Sequence, residues 1–330
     1  MSTAKAKALI PDRATLKLCF AHAAYRLGER FALRNTGLHV TEVRDREALA
    51  KALPETDVLV VSGLWHNDLL NHAPRLKFIQ SISSGTDQFG RDALQAHGIK
   101  LASAAGVNAG AVAEHALSLM LALSRRLAEA RDNQTARQWR GMIGDLSQRE
   151  DELHGKTVLI VGMGRIGAKI ATLTKAFGMR VIGIRQDPKA GSNGADRIGG
   201  MGDLGTLVKE ADYVVLSCAL TPQTEGLLSR AVLGAMKKSA FLVNVARGRV
   251  VDEQALIDAL QAKQIAGAAL DVVVEEPMSA TAPLWSLPNV LITPHSAGET
   301  RAYEDNVLDL LTENLDRLWR GETQLTNGLL

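Results

Sequence analysis

Two cysteines are all that 330 residues contain. Cys19 and Cys218 lie far apart, in separate strand-like runs. Neither a disulfide framework nor a metal site has the spacing it needs, and a reducing cytoplasm is the expected location. Net charge is nearly absent as well: 38 Lys and Arg against 36 Asp and Glu leave +2. That balance gives no case for nucleic acid or an anionic membrane as partner. Long apolar runs are also missing. The most apolar helical stretch, Ala116 to Leu123, is flanked by His115 and Arg125 and falls far short of the roughly 20 residues that cross a bilayer. The opening MSTAKAKALIPDR lacks the apolar core of a secretion leader. What remains is ordinary for a globular protein, 46% hydrophobic and 22% charged, with length enough for two domains and a large core.

Against this background one stretch stands out. VLIVGMGRIG (158–167) runs four apolar residues into a glycine-rich turn, with Gly162, Gly164 and Gly167 at G-x-G-x-x-G spacing. AKIATLTKAFG then reads as a helix closed by Gly178, and MRVIGI as a second buried strand. The glycines therefore lie between strand and helix inside one βαβ unit of about 30 residues, the context that a dinucleotide fingerprint requires. The first glycine permits the tight turn, the second lets a pyrophosphate approach, and the third lets helix pack on strand. Free N–H groups at the helix start, around Arg165 and Ile166, face the phosphates. The second strand ends at Arg185, where NAD-binding units carry an acid for the ribose hydroxyl. A guanidinium there suits a 2′-phosphate, with Lys189 in support, and so favours NADP. Asp187, two residues on, keeps NAD open.

The rest of the chain alternates short apolar and helical runs, an open, mostly parallel α/β pattern. Residues 16–21, 38–43, 57–63, 76–82 and 99–104 read as strands before the fingerprint; 211–218, 239–246, 265–274 and 289–295 read as strands after it. Two early strand ends, Ser62-Gly63-Leu64-Trp65-His66 and Ser83-Ser84-Gly85-Thr86-Asp87, are either plain turns or nests of N–H groups suited to a carboxylate. Residues 109–130 read as one helix, apolar on nearly every side between Val112 and Leu127. Such a helix is buried all round, between domains or between subunits, and a homodimer is the expected assembly. The final helix, 300–320, is amphipathic, with Tyr303, Val307, Leu310, Leu311, Leu315 and Leu318 near one face and Gly321 ending it.

Ligands of open α/β sheets bind past the carboxyl ends of the strands. There the sequence places Arg247, Asp271, Glu275, Glu276 and His295. Singly these are a solvated turn or a loop histidine; jointly, beside a dinucleotide site, they suit hydride chemistry on a carbonyl. A ketone being reduced needs a proton on oxygen, and histidine is the side chain best suited to give it. A carboxylate beside the ring holds it and favours its charged form. An arginine anchors a substrate carboxylate and polarises the carbonyl. No residue spacing calls for a metal.

Several stretches together resemble the D-isomer-specific 2-hydroxyacid dehydrogenase family: SISSGTD (81–87), GVNAGAVAEHALSLMLALSRRL (106–127), VLIVGMGRIG, SCALTPQTEGLL (217–228), NVARGRVVDEQAL (244–256), GAALDVVVEEP (267–277) and ITPHSAG (292–298). They occur in the family's order and cover nearly the whole chain. The resemblance implies two Rossmann-like domains, parallel sheets flanked by helices, with the active-site cleft between them. It assigns residues 1–104 plus 297–330 to a substrate domain and 105–296 to a dinucleotide-binding domain. By the same resemblance Arg247, Glu276 and His295 are catalytic, and Asp271 lies near the nicotinamide carboxamide. Cys218 and Thr224 line the cofactor cleft, with Val245 and Ala246 near the nicotinamide. The N–H groups of Ser84 and Gly85 bind the substrate carboxylate, which raises the nest reading of that turn, and Trp65 and His66 line the substrate's variable group. The implied activity is hydride transfer between NAD(P)H and a 2-oxo acid, in the manner of glyoxylate/hydroxypyruvate reductases. Corepressors with the same fold, gated by dinucleotide, are the alternative. Three residues depart from the family pattern: Ala219 replaces a proline, Arg185 replaces an acid, and Ser296 follows the histidine. Glu276 speaks against a formate dehydrogenase, which carries glutamine there, and no regulatory extension of the long phosphoglycerate dehydrogenases follows.

Overall fold

A computed structural model describes residues 7–330; the first six residues of the opening MSTAKAKALIPDR lie outside them. The chain divides into two compact units, the residues up to Asn108 together with Thr300–Leu330, and Ala109–Glu299. Among the described residues no helix is long and apolar enough to cross a membrane.

The first unit is a five-stranded sheet of β1 (Lys17–Ala21), β2 (His39–Val43), β3 (Val58–Val61), β4 (Phe78–Ser81) and β5 (Lys100–Ala102). All pairs are parallel, in the order β2-β1-β3-β4-β5. β3 and β4 are buried along their whole length, as expected of strands covered on both faces. Helices α1 (Leu27–Ala32), α2 (Arg46–Ala52) and α3 (Arg91–Ala96) form the crossovers. α2 starts where Asp45 accepts the Ala48 N–H at 2.8 Å, satisfying a donor that the first helical turn leaves open. The chain's last helix, Tyr303–Trp319, buries its expected stripe, Tyr303, Val307, Leu310, Leu311, Leu315 and Leu318. That stripe shares one core with Leu16, Leu18, Phe20 and Phe31. A polar latch adds register: buried Asn314 donates to Gln80 Oε1 on β4 at 2.9 Å and to Thr326 O at 3.1 Å.

The second unit opens with α4 (Ala109–Ser124) and α5 (Leu127–Thr135). The single helix expected over 109–130 is therefore two. Arg126 sits at φ 48°, a left-handed conformation that cannot continue a right-handed helix. Within the single chain α4 buries Val112, Ala113, Ala116, Leu119 and Met120, while Leu121, Ala122 and Leu123 are only partly covered and α5 buries nothing.

Then come β6 (Thr157–Val161), α6 (Arg165–Ala176), β7 (Arg180–Ile184), β8 (Arg197–Gly199), α7 (Leu204–Leu207), β9 (Tyr213–Leu216), α8 (Arg230–Ala235), β10 (Phe241–Asn244), α9 (Glu253–Gln261), β11 (Gly267–Leu270) and β12 (Val290–Ile292). The seven strands are parallel, in the order β12-β11-β10-β9-β6-β7-β8. The chain starts at β6, winds outward through β7 and β8, then returns to lay β9 on the other side of β6. The crevice between β6 and β9 is thus the topological switch point, where doubly wound sheets take their ligands. α6 buries Gly167, Ile170, Ala171 and Thr174, one face at helical spacing.

Candidate active site

The fingerprint turn leaves β6 at the switch point. Gly162 has φ 103°, and a Cβ on it would lie 2.5 Å from the Cys218 backbone nitrogen, just past the end of β9. Gly167 has a Cβ position 2.1 Å from Gly162 O, so any side chain there would push α6 off the strand. At Gly164 a Cβ would meet no atom within 4 Å. Protein packing explains the first and third glycines but not the second, whose bare backbone opens a surface at the start of α6, between Gly162 and Arg165. The residues present therefore fit a dinucleotide pyrophosphate. Cys218 is half-buried and its thiol is pushed up to about 11 by burial, so it is a neutral wall rather than a nucleophile. The loop after it is braced by Thr224, whose hydroxyl receives the Thr221 N–H at 2.7 Å and donates to Ala219 O at 2.7 Å. That brace stands where a rigid proline is missing.

Past β7, Arg185 donates through Nη1 to Ala190 O and Gly191 O at 3.1 and 2.7 Å. Among the described residues the rest of its fork has no protein acceptor. Asp187 accepts the Lys189 N–H at 3.0 Å, closing the following turn. A contact absent from the sequence reading joins this loop to the fingerprint: Asn193 donates to Met163 O at 2.6 Å. The glycines around Asn193 signalled only an excursion; its docking point is 30 residues away.

The carboxyl ends of β10, β11 and β12 carry the charged set. Buried Asn244 donates to Arg247 O at 3.1 Å and accepts the Ala246 N–H at 3.0 Å, fixing the turn that presents Arg247. Val245 and Ala246 are buried beneath it. Arg247 donates to Ala246 O at 2.7 Å. At Gly248 a Cβ would lie 2.0 Å from the carbonyl carbon of Val273, so the Arg247 turn rests directly on the backbone leading to Glu276. Glu276 Oε1 accepts the Val273 N–H at 3.1 Å, and its Oε2 lies 2.6 Å from His295 Nδ1. Glu275 is exposed and makes no such pair. A bond from Nδ1 leaves the Nε2 edge of the ring for another partner. Both side chains are partly open to solvent, 46% for His295 and 37% for Glu276.

His295 itself has φ 54°, a left-handed backbone that costs a non-glycine residue about 1–3 kcal/mol unless its surroundings impose it. They do. Its N–H donates to Asp271 O at 2.8 Å and Thr293 O at 3.0 Å. The next two N–H groups, of Ser296 and Ala297, donate to the Asp271 carboxylate at 2.9 and 3.1 Å. Ser296 thus contributes its backbone to this turn. The Asp271 side chain is 1% exposed. Burial alone would raise its carboxyl; bonds from His115, Thr293, Ala297 and Ser296 outweigh that and bring it down to about 2. His115 and Thr293 were not singled out from the sequence, because only the fold brings α4 beside the ends of β11 and β12. Among the described residues no group of three or more His, Cys, Asp or Glu side chains is arranged to hold a metal ion.

In the first unit the two suggestive strand ends meet: Ser62 Oγ and Ser83 Oγ are 2.6 Å apart, and Gln88 donates to Ser62 Oγ at 3.3 Å. Among the described residues the N–H groups of Ser84 and Gly85 have no protein acceptor, and Ser84 is exposed. The structure corrects the placing of Trp65. It is 1% exposed, packed with Phe89 at 6.0 Å between ring centres, with its N–H on Asn67. An indole in the core cannot line a substrate, whereas His66 is exposed.

The profile of the D-isomer specific 2-hydroxyacid dehydrogenase NAD binding domain matches residues 117–297. The chain is 36% identical over 300 residues to glyoxylate/hydroxypyruvate reductase B of Pectobacterium carotovorum subsp. carotovorum strain PC1, covering 91% of this chain and 92% of that one. It is similar to a D-isomer specific 2-hydroxyacid dehydrogenase family protein of Aeromonas salmonicida subsp. salmonicida A449 (TM-score 0.84, 27% identity, 96% and 99% of the two chains). It is also similar to the NADPH-dependent glyoxylate/hydroxypyruvate reductase of Sinorhizobium meliloti solved with NADP and malonate (TM-score 0.79, 26% identity, 96% and 97%). The fingerprint unit at the switch point, the charged strand ends and these similarities lead to one conclusion: the chain belongs to the D-isomer specific 2-hydroxyacid dehydrogenase family of NAD(P)-dependent oxidoreductases.

Proposed function

We propose that this protein reduces a small 2-oxo acid to the D-2-hydroxy acid, with NADPH preferred over NADH. The observation that carries the reading is the His295–Glu276 pair, Nδ1 to Oε2 at 2.6 Å, on the sheet edge that also bears the fingerprint turn. Gly162, Gly164, Arg165, Ile166 and Gly167, together with Cys218, Thr224, Val245, Ala246 and Asp271, would hold a nicotinamide coenzyme, which would supply the hydride when bound. His295, held by Glu276 through Nδ1, gives the proton to the carbonyl oxygen from Nε2. Arg247 pairs with the substrate carboxylate and polarises the carbonyl. In the first unit the N–H groups of Ser84 and Gly85 suit a carboxylate, and the exposed His66 suits a substrate's variable group. Arg185 is the coenzyme selector: one nitrogen anchors its own loop while the remaining N–H groups suit a 2′-phosphate.

The same reading includes a homodimer. Leu123, Ala122 and Phe241 line a groove with Pro288, Val290 and Leu291, and Trp139 and Met142 are fully exposed. So much apolar surface suits a second copy. A reducing cytoplasm accords with two free thiols, Cys19 and Cys218.

The test is a panel of glyoxylate, hydroxypyruvate, pyruvate, phenylpyruvate and branched 2-oxo acids, assayed with NADPH and with NADH by loss of reduced-nicotinamide absorbance. The expected result is turnover of one or more, with higher kcat/KM for NADPH. Absence of turnover with all of them, despite tight coenzyme binding, would overturn the enzyme reading in favour of a dinucleotide-gated scaffold. A clear NADH preference would remove the role given to Arg185.

A further inference from the structure

His115 lies on α4, far in sequence from the ends of β11 and β12, yet its Nε2 is 3.0 Å from Thr293 Oγ1 and 3.4 Å from Asp271 Oδ1. Thr293 Oγ1 is also 2.6 Å from Asp271 Oδ1. A hydroxyl has one proton. The carboxylate, ionised and acceptor-only, takes that proton, so Thr293 oxygen accepts from His115 and the Nε2 of His115 carries hydrogen. Donor order then runs His115 to Thr293 to Asp271. At the far end the two carboxylate oxygens hold the N–H groups of Ser296 and Ala297 at 2.9 and 3.1 Å. Those N–H groups immediately follow His295, whose backbone is left-handed at φ 54°. A carboxylate free to rotate would release one or both, and the left-handed turn would relax toward an ordinary conformation. Rotation is opposed by the threonine hydroxyl and the histidine on the same oxygen.

We propose that His115 and Thr293 are positioning residues for the catalytic histidine: they lock the Asp271 carboxylate in the orientation that imposes the left-handed backbone at His295, and so aim its ring at Glu276 on one side and at substrate on the other. This goes beyond a role for Asp271 toward the nicotinamide, and it rests on the reading of His295 as the proton donor. It makes α4 a part of the active-site support and gives its half-buried histidine a function that packing does not require.

Four variants test it: Thr293→Val and His115→Leu, which break the chain, and Thr293→Ser and His115→Gln, which keep a hydroxyl and an N–H donor. Two readouts are taken. One is the hydrogen-bonded ring N–H proton of His295 in nuclear magnetic resonance spectra of the coenzyme-free protein, assigned by its loss in His295→Ala. The other is kcat, KM and coenzyme Kd with the acid of the panel that the wild type turns over fastest. The breaking variants should lose or broaden the ring signal and drop kcat by about ten- to a hundredfold, the scale of a misplaced catalytic group, with coenzyme Kd unchanged. The conservative pair should retain both. Should Thr293→Val fail to fold, His115→Leu still decides, because His115 is partly exposed and lies on α4 rather than in the strand-end turn. A ring signal and kcat unaltered in His115→Leu would overturn the proposal, as would equal loss in the breaking and conservative variants. Full activity in His295→Ala would instead overturn the underlying reading, which keeps the two failures apart.

Discussion

At His295 the ring and the backbone are held by different groups, and the two can be separated by experiment. Removing the ring with His295→Ala leaves the turn and the fingerprint in place. Turnover should fall by about a hundredfold to ten-thousandfold, the range for losing a general acid, with coenzyme Kd, read by fluorescence titration, almost unchanged. Asp271 is a stability residue with a defined pH signature. Against the opposing effect of burial, the hydrogen bonds it accepts bring its carboxyl down to about 2, below the ordinary 3.8. Stabilisation from a depressed acid is fully present above the unfolded pKa and is lost as pH falls through the folded one. Asp271→Asn should therefore lower Tm at neutral pH, by an amount corresponding to roughly 2 kcal/mol. That deficit against wild type should narrow as pH drops from about 4 to about 2. A gap independent of pH in thermal melts would show that charge on Asp271 is not what holds the turn.

Elements meet at this site through backbone as much as through side chains. The turn carrying Arg247 rests on the strand exit before Glu276, and a Cβ at Gly248 would sit 2.0 Å from a carbonyl carbon. Gly248→Ala must therefore pry the two loops apart. We expect a loss of about 1–3 kcal/mol, as for overpacking elsewhere, seen as a lower midpoint in urea unfolding. A rise in KM for the 2-oxo acid should accompany it, because Arg247 moves away from Glu276. An unchanged KM would mean that the loops adjust independently. The break between α4 and α5 also belongs to this scale. The run of alanines and leucines through Leu127 carries no helix stop signal; the left-handed Arg126 ends α4 because of how the chain continues, and no glycine or proline marks it.

At the scale of the whole molecule the prediction concerns assembly. Leu123 beside a groove lined by Phe241, Val290 and Leu291, and a fully exposed Trp139, lead us to expect sedimentation equilibrium at twice the 35.4 kDa chain mass, shifted to one chain mass by Leu123→Arg. A wild-type monomer would refute the dimer. The chain's division of labour was legible in its sequence where the signal is local. The fingerprint glycines, the buried runs of parallel strands and the stripe of the last helix declare themselves by spacing, because turn geometry and periodicity are properties of consecutive residues. So does the placing of Arg247, Glu276 and His295 at strand ends. Other features depended on distant residues and had to await the fold. Trp65 reads as an accessible loop residue, but Phe89 and Asn67 draw it into the core. Asn193 latches onto Met163, and His115 reaches Asp271 across 156 positions, by subtraction of their numbers. Hydrogen bonds act over about 3 Å whatever the separation along the chain, and only folding sets that distance. The sequence by itself determined that a dinucleotide unit and an acid–base–cation set lie on one sheet edge. The tertiary structure decided how the histidine of that set is held.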